Sequence, residues 1–399
     1  MPTARKTPPA VIETRIERPA SSGEGIGQAP DGKTLFVPGT APGDLARVRL
    51  DDVRRTFARG ALLEVVEIGA DRIEPPCPVA DACGGCQWQH LDYPAQVRAK
   101  ARIVQDALER IGGLTDVGEV PVASSPEALG YRGRARIRVE RGRPGFRAAR
   151  SHQHVPVEDC PVLAAPLREA LREFARNRQD DGLWEFALGT PDAHHPDGVR
   201  VARLGAAVRD TGEDLTLDVG THAIRLAPGG FAQANPLLFE SMIDAVVDAA
   251  GTGDALLELY AGAGFLSLPL AQRFGRVVAV ESVESAIVRL REVAAAAGLE
   301  GLDARCEEVE AFLAQKSVKR THWDVLCMDP PRTGLVETVA TAISRMDAER
   351  IVYLSCDPAT LARDLKVLTE KRWRLASVRA FDQFPQTPHV ETLATLVRT

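Results

Sequence analysis

Three strand-end sequences hold the residues of this 399-residue chain that are best suited to chemistry. In IVYLSCDPATLARDL, Cys356 ends an apolar run and Asp357-Pro358 opens a helical one. Proline suits the first turn of a helix. A thiol at a helix N-terminus is expected to have its thiolate stabilised by the backbone dipoles. In WDVLCMDPPRTG, Asp329 ends a second run and two prolines stop it. In DALLELYAGAGF, Glu258 lies at a strand end before Gly262 and Gly264, which let the backbone approach a ligand closely. Glu281 closes the next strand, 17 residues after Gly264, where an acid can accept from ribose hydroxyls. The loop lacks the third glycine of a dinucleotide fingerprint. Glu258 would repel a pyrophosphate and suit a cation. S-adenosylmethionine, a sulfonium with an amino group, fits better than NAD. The competing reading is a tight strand–helix turn with no ligand.

A methyl donor beside a strand-end thiolate suggests one reaction. Carbon 5 of uracil is too poor a nucleophile to attack a sulfonium methyl. Thiolate addition at carbon 6 makes the ring an enolate, and carbon 5 then attacks. The carbon 5 proton must leave afterwards, so a base is required. The tail FDQFPQTPHVETLATLV offers His389 and Glu391, and spacing does not choose between them. Cys327 reads as a buried thiol within its strand, and Cys306 carries no signal.

A second cysteine set lies upstream. Cys77, Cys83 and Cys86 are spaced Cys-x5-Cys-x2-Cys, and Cys160 follows after 73 intervening residues. Four thiolates suit either zinc or an iron–sulfur cluster. Gly84-Gly85 would let the chain wrap closely around either. Residues 131–150 hold eight arginines and one acid, Glu140. Alternation puts Arg132, Arg134, Arg136 and Arg138 on one strand face, able to follow an RNA backbone. Trp88, His90 and Phe146 are candidates for base stacking. The alternative for the arginine row is a solvated sheet face.

The surrounding elements define the fold class. The length allows about two to three domains. With 45% hydrophobic and 26% charged residues the chain is globular, not disordered, fibrous or membrane-spanning. A net charge of −6 argues against a globally basic nucleic-acid binder, so any RNA contact must be local. There is no secretory signal, and the expected compartment is the cytoplasm. Residues 1–10 read as a loose tail. Short β-rich runs between Gly/Pro turns over 11–70 predict an OB-like barrel. Residues 93–113 have helical spacing ending in Gly-Gly, and 131–228 read as β-rich with a helix near 163–176. From 229 a βαβ rhythm predicts a parallel sheet covered by helices. The expected architecture is therefore multidomain α/β, divided 1–70, 71–228 and 229–399.

Taken in order, GEGIGQ…LFVPGTAPGD, the cysteine set, FAQANP, LELYAGAGF, MDPPRTG, LSCDPATLARDL and FPQTPHVET resemble one family over essentially the whole chain. It is that of the iron–sulfur-type 23S ribosomal RNA (uracil-carbon-5)-methyltransferases. The resemblance implies a TRAM barrel over 1–70, a central iron–sulfur domain, and a Rossmann-like methyltransferase domain from 229. It implies Cys356 as nucleophile and Glu391 as base. Gln233, Tyr260, Glu281 and Asp329 correspond to donor-binding positions, beside Glu258, Gly262 and Gly264. Phe265 stands where family members often carry a polar residue, which leaves it a packing role. The resemblance implies a 4Fe–4S cluster on Cys77, Cys83, Cys86 and Cys160, and a helix over 93–113 packed on the catalytic domain. RNA is the implied partner, ribosomal RNA before transfer RNA, with no membrane and no obligate protein partner. The rivals are a transfer-RNA uracil methyltransferase, a cytosine-carbon-5 enzyme, an exocyclic amino methyltransferase and a non-catalytic iron–sulfur RNA binder. The cytosine enzymes place a cysteine in the proline motif, where this chain has DPPRTG.

Overall fold

The computed structural model describes residues 10–115, 117–193, 195–205 and 214–399. Most of the expected N-terminal tail lies outside them. The chain condenses into two units. One takes the chain up to Ile103 with Phe146–Val155 and Pro385–Pro388; the other takes the rest.

In the first unit, β1 (Val11–Arg15), β2 (Arg18–Pro19), β3 (Gly25–Gln28), β4 (Thr34–Val37), β5 (Leu45–Val53) and β6 (Phe57–Glu67) form one sheet ordered β1-β5-β6-β4-β3-β2. Its alternate residues Leu35, Val37, Ala46 and Val48 fill a small core with Ile16 and Ala58. Helix α1 (Tyr93–Arg110) follows. Its first half joins a cluster of Ala41, Trp88, Leu91, Ala99 and Ile103 within this unit. The Gln386 carbonyl accepts from the Gln87 and Trp88 amides at 3.0 and 2.9 Å.

The second unit contains the remaining elements. These are β7 (Val122–Ala123), β8 (Arg134–Glu140), β9 (Arg143–Arg147) and β10 (His154–Pro156), the last two crossing the unit boundary, then α2 (Ala165–Arg176), β11 (Gly182–Leu188), β12 (Val199–Leu204), β13 (Leu215–Val219) and β14 (His222–Leu226). Next come α3 (Phe239–Ala250), β15 (Gly253–Leu259), α4 (Ser267–Leu270), β16 (Phe274–Glu281), α5 (Glu284–Ala296), β17 (Leu302–Cys306), α6 (Val309–Ala314) and α7 (Lys316–Arg320). The chain ends with β18 (Trp323–Met328), α8 (Glu337–Ser344), β19 (Ala348–Ser355), α9 (Pro358–Thr369), β20 (Trp373–Phe381) and β21 (Glu391–Arg398).

An eight-stranded sheet runs β17-β16-β15-β18-β19-β21-β20-β7. The expected parallel sheet is mixed. β15 to β19 are parallel, but β21 enters antiparallel between β19 and β20. Alternate strand residues serve opposite faces: Leu257, Leu259, Leu326 and Met328 on one, Leu256, Val277, Val325 and Cys327 on the other. Val104, Ala107 and Leu108 from the second half of α1 pack into the first of these cores. Among the described residues no helix is long and apolar enough to cross a membrane.

Candidate active site

Chain direction alone gathers the site. β15, β16, β18 and β19 are parallel, so their carboxyl ends carry Glu258, Glu281, Asp329 and Cys356 to one edge of the sheet. The insertion of β21 supplies the fifth group. Ser355 pairs with Thr392 in antiparallel register. Cys356, one residue on, therefore comes opposite Glu391, one residue back.

Asp357 caps α9 and accepts from the Ala359 and Thr360 amides at 3.0 and 3.1 Å. Those first-turn amides are thus spent on Asp357, and they leave Cys356 without the expected support. Burial, then the charges of Glu391 and Asp329, push the half-buried Cys356 thiol up to about 12, while Arg332 pulls it down. The environment of Cys356 thus favours the thiol, against the dipole-stabilised thiolate expected from its place before a helix. Glu391 is 2% exposed, and burial with Asp329 beside it drives its carboxyl well above the usual carboxylate range. Burial raises Asp329 to about 7. Glu391 Oε1 has no hydrogen-bond partner among the described residues.

The glycine loop flanks this edge. Tyr260 takes a left-handed φ of +63°, a strained conformation for a tyrosine. A Cβ at Gly264 would lie 2.5 Å from Leu290 Cδ1, so glycine is required for packing on α5. Gly262 has φ +56° with open space where a Cβ would stand. Its amide donates to Glu281 Oε2 at 3.1 Å, and the Val283 amide donates to Oε1 at 2.9 Å. Gln233 Nε2 donates to Asp329 Oδ2 at 3.4 Å, so both side chains meet at the edge. Glu258 is buried, and its Oε2 has no hydrogen-bond partner among the described residues. Burial first, then Asp329 and Glu281, raise its carboxyl to about 8. Phe265 packs edge-on against Phe239, with ring centroids 5.1 Å apart.

Sequence reasoning missed Arg332 as a site group and passed over the aromatic Phe231 near Gln233. Arg332 Nη2 lies 3.3 Å from His389 Nδ1. Phe231, two residues before Gln233, is 71% exposed. The only signals were a cation after two prolines and an aromatic opening FAQANP.

Arg134, Arg136 and Arg138 share one face of β8, Arg132 precedes the strand, and the row is not uniformly available. Arg134 is 13% exposed and ion-paired with buried Glu185, which also binds Arg200 at 2.8 Å. Arg132 donates to the Arg134 carbonyl at 2.9 Å. Arg136 donates to the Gly229 carbonyl at 3.2 Å and, like Arg138, is exposed. Trp88 and His90 are corrected as stacking candidates. Trp88 is fully buried and donates to the Gly23 carbonyl, while His90 is buried with Nε2 3.1 Å from the Thr40 carbonyl. Phe146 is half-buried.

All seven cysteines are thiols, and Cys77, Cys83, Cys86 and Cys160 are half-buried. In the loop that carries the first three, one backbone amide points at a sulfur. Gly85 N–H donates to Cys83 Sγ at 3.4 Å, and a Cβ at Gly84 would lie 2.8 Å from the Ala149 amide nitrogen. Cys327 is buried among apolar side chains, which drives its thiol far up. A further donor group, His322, Asp324 and Glu349, lies away from the site edge, and its Asp324 Oδ2 already accepts from the Asp254 and Ala255 amides at 2.6 and 2.8 Å.

The second unit thus has the S-adenosylmethionine-dependent methyltransferase fold, with a thiol and buried acids at the carboxyl ends of its strands. Comparisons with known proteins agree. Residues 210–399 match the tRNA (Uracil-5-)-methyltransferase family, and residues 5–63 match the TRAM domain. The chain is 33% identical to a 23S rRNA (uracil(1939)-C(5))-methyltransferase of Pseudomonas putida, over 95% of this chain and 92% of that one. A Shewanella enzyme of the same name is 30% identical over 93% and 92%. A Gloeobacter violaceus RNA methyltransferase is 32% identical over 95% and 94%. The crystal structure of Pyrococcus abyssi tRNA (uracil-54, C5)-methyltransferase superposes with a TM-score of 0.71 at 23% identity, covering 96% of this chain and all of that one. The chain belongs to the RNA (uracil-carbon-5)-methyltransferase family and is an enzyme.

Proposed function

We propose that this enzyme transfers the methyl group of S-adenosylmethionine to carbon 5 of a uracil in 23S ribosomal RNA, in the cytoplasm, through a covalent bond between Cys356 and carbon 6. The observation that carries the proposal is the register that sets Cys356 opposite Glu391, whose buried Oε1 has no partner among the described residues. Cys356 is the nucleophile and Glu391 takes the carbon 5 proton. Gln233, Tyr260, Glu258, Glu281, Asp329, Gly262 and Gly264 hold the donor. Glu258 and Asp329, when ionised, suit its cationic centre, and Gly262 lets it approach. Exposed Phe231 offers a face on which a base can stack. The full-length relatives named as 23S enzymes favour ribosomal over transfer RNA. Mapping 5-methyluridine in total RNA of a deletion strain tests this. Loss from 23S RNA supports it; loss from transfer RNA alone contradicts it.

Glu258 gives the donor site a pH signature. Its folded pKa of about 8 exceeds the usual 4.5, so the folded state holds the extra proton and stability falls as pH rises through that window. Glu258→Gln is therefore expected to stabilise the protein at pH 9, by up to about 5 kcal/mol in urea titrations. The same variant should bind the donor more weakly at pH 9, with a smaller loss at pH 6 where the native acid is neutral.

Cys77, Cys83, Cys86 and Cys160 are the proposed ligands of a 4Fe–4S cluster. When bound, the cluster supplies ligation energy that staples the chain. Anaerobic protein is expected to be brown with about four irons per chain, and Cys83→Ala to bleach it. Stoichiometric zinc in colourless protein would refute the iron assignment.

The TRAM barrel and the β8 face are the proposed RNA contacts, with Arg136 and Arg138 carrying the phosphate interactions, Arg132 beside them, and Arg134 engaged with Glu185. Replacing Arg136 and Arg138 by Ala should flatten the salt dependence of RNA binding by about one unit of slope per lost contact. Donor binding should be unchanged. An unaltered slope would mean a solvated face.

A further inference from the structure

The loop after Asp329 is seated on the helix that follows the nucleophile, and one buried carboxylate makes the attachment. Asp364 of α9 is 2% exposed. Its Oδ2 accepts from the Leu335 amide at 2.8 Å and from the Tyr353 hydroxyl at 2.7 Å. Its Oδ1 accepts from Nε and Nη2 of Arg363 at 2.9 and 2.7 Å. The same guanidinium reaches the Thr333 and Leu335 carbonyls, both at 2.9 Å. One turn earlier, Thr360 Oγ1 donates to the Arg332 carbonyl at 3.2 Å. Gly334 adopts φ +69°, and a Cβ there would stand 2.5 Å from Asp364 Oδ2 and 2.7 Å from Arg363 Nη2. The loop therefore lies flush on α9, and a side chain at this position would lift it.

Three elements meet on this carboxylate. Tyr353 belongs to β19, the strand that ends one residue before Cys356. Leu335 closes the loop that starts at Asp329. Asp364 belongs to α9, which starts two residues after Cys356. Arg332 leaves the loop toward His389 and is the cation whose charge reaches the Cys356 thiol against burial and the acids Glu391, Asp329 and Asp357.

We propose that Asp364 is a positioning residue for the methyl transfer: by clamping loop 330–335 to α9 it holds Asp329 and Arg332 in place against Cys356. The proposal rests on Cys356 being the nucleophile. Asp364 acts through the loop.

The test uses the full-length enzyme, Asp364→Asn and Gly334→Ala, the second of which disturbs the same seat from the surface. Asparagine keeps the shape but loses the charge that the Arg363 fork requires. Both variants are expected to lower kcat for RNA methylation on the order of 100-fold, as for a misplaced catalytic group, and to raise the KM for S-adenosylmethionine as Asp329 loosens. Alkylation of Cys356 by iodoacetamide, followed on its peptide by mass spectrometry, should slow about tenfold at pH 9 as the cation moves away. Asp364→Glu should recover less than Arg363→Lys loses, because the clamp depends on fork geometry. A lowered melting temperature with unchanged kcat and unchanged Cys356 alkylation in both variants would reduce Asp364 to a structural residue and overturn the proposal. If Asp364→Asn does not fold, Gly334→Ala decides alone. Methyl transfer that survives Cys356→Ala would instead refute the nucleophile, a separate outcome.

Discussion

Cys356→Ala is expected to abolish methyl transfer to RNA, by on the order of 10⁴-fold or more in single-turnover rate, and to form no protein–RNA adduct. Carbon 5 of uracil becomes nucleophilic only after addition at carbon 6, so every later step depends on this one thiol. Neither other cysteine of the eight-stranded sheet can replace it. Cys327 is sealed in the sheet, and Cys306 ends β17 at the far edge. The resting thiol lies near 12, so the native rate should rise with pH across the neutral and alkaline range. The sign follows from the reactive species: thiolate is the scarce form, and raising the pH supplies it. The activity of the variant, measured with methyl-labelled donor, should be flat and near background. Retained turnover would remove Cys356 from the chemistry.

Glu391→Gln has the opposite signature. Methyl transfer precedes loss of the carbon 5 proton, so removing the base blocks only the final stage. One equivalent of donor should be consumed, and a methylated protein–RNA adduct should accumulate, stable on denaturing gels. Turnover should fall on the order of 10²- to 10⁴-fold, the usual contribution of a positioned base. The double variant should behave as Cys356→Ala, because groups that act in sequence are not additive. His389 was the alternative base. A guanidinium can only donate, so the 3.3 Å contact with Arg332 makes His389 Nδ1 the acceptor and occupies its lone pair. Glu391 Oε1 has no such commitment among the described residues. If His389→Ala traps the adduct while Glu391→Gln turns over normally, the base is His389 and the nucleophile stands.

The gathering of the candidate site residues was legible because each lies at a strand end, and strand ends leave signs in sequence. Glycines, prolines and an Asp-Pro helix start mark where apolar runs stop. Their protonation was not legible. A thiol one residue before a helix suggests a stabilised thiolate, but Asp357 takes the first-turn amides and Glu391 arrives from 35 residues downstream through β21. That insertion was invisible because an antiparallel strand has the same alternation as a parallel one. Trp88 and His90 show a similar limit. Aromatic type suggests stacking, but only packing decides exposure, and the barrel unit buries both. The β8 alternation was readable, yet Glu185 is 51 residues from Arg134, so its ion pair was not. Asp364 drew no notice, since a lone acid inside a helical run looks solvated until the loop above it is seen.

The most direct measurement of the central claim uses RNA tritiated at carbon 5 of uracil, incubated with the purified enzyme and S-adenosylmethionine. Tritium is expected to appear in water one for one with methyl incorporated into RNA, and to vanish in Cys356→Ala. Methyl incorporation without tritium release would place the methyl elsewhere and contradict uracil-carbon-5 chemistry.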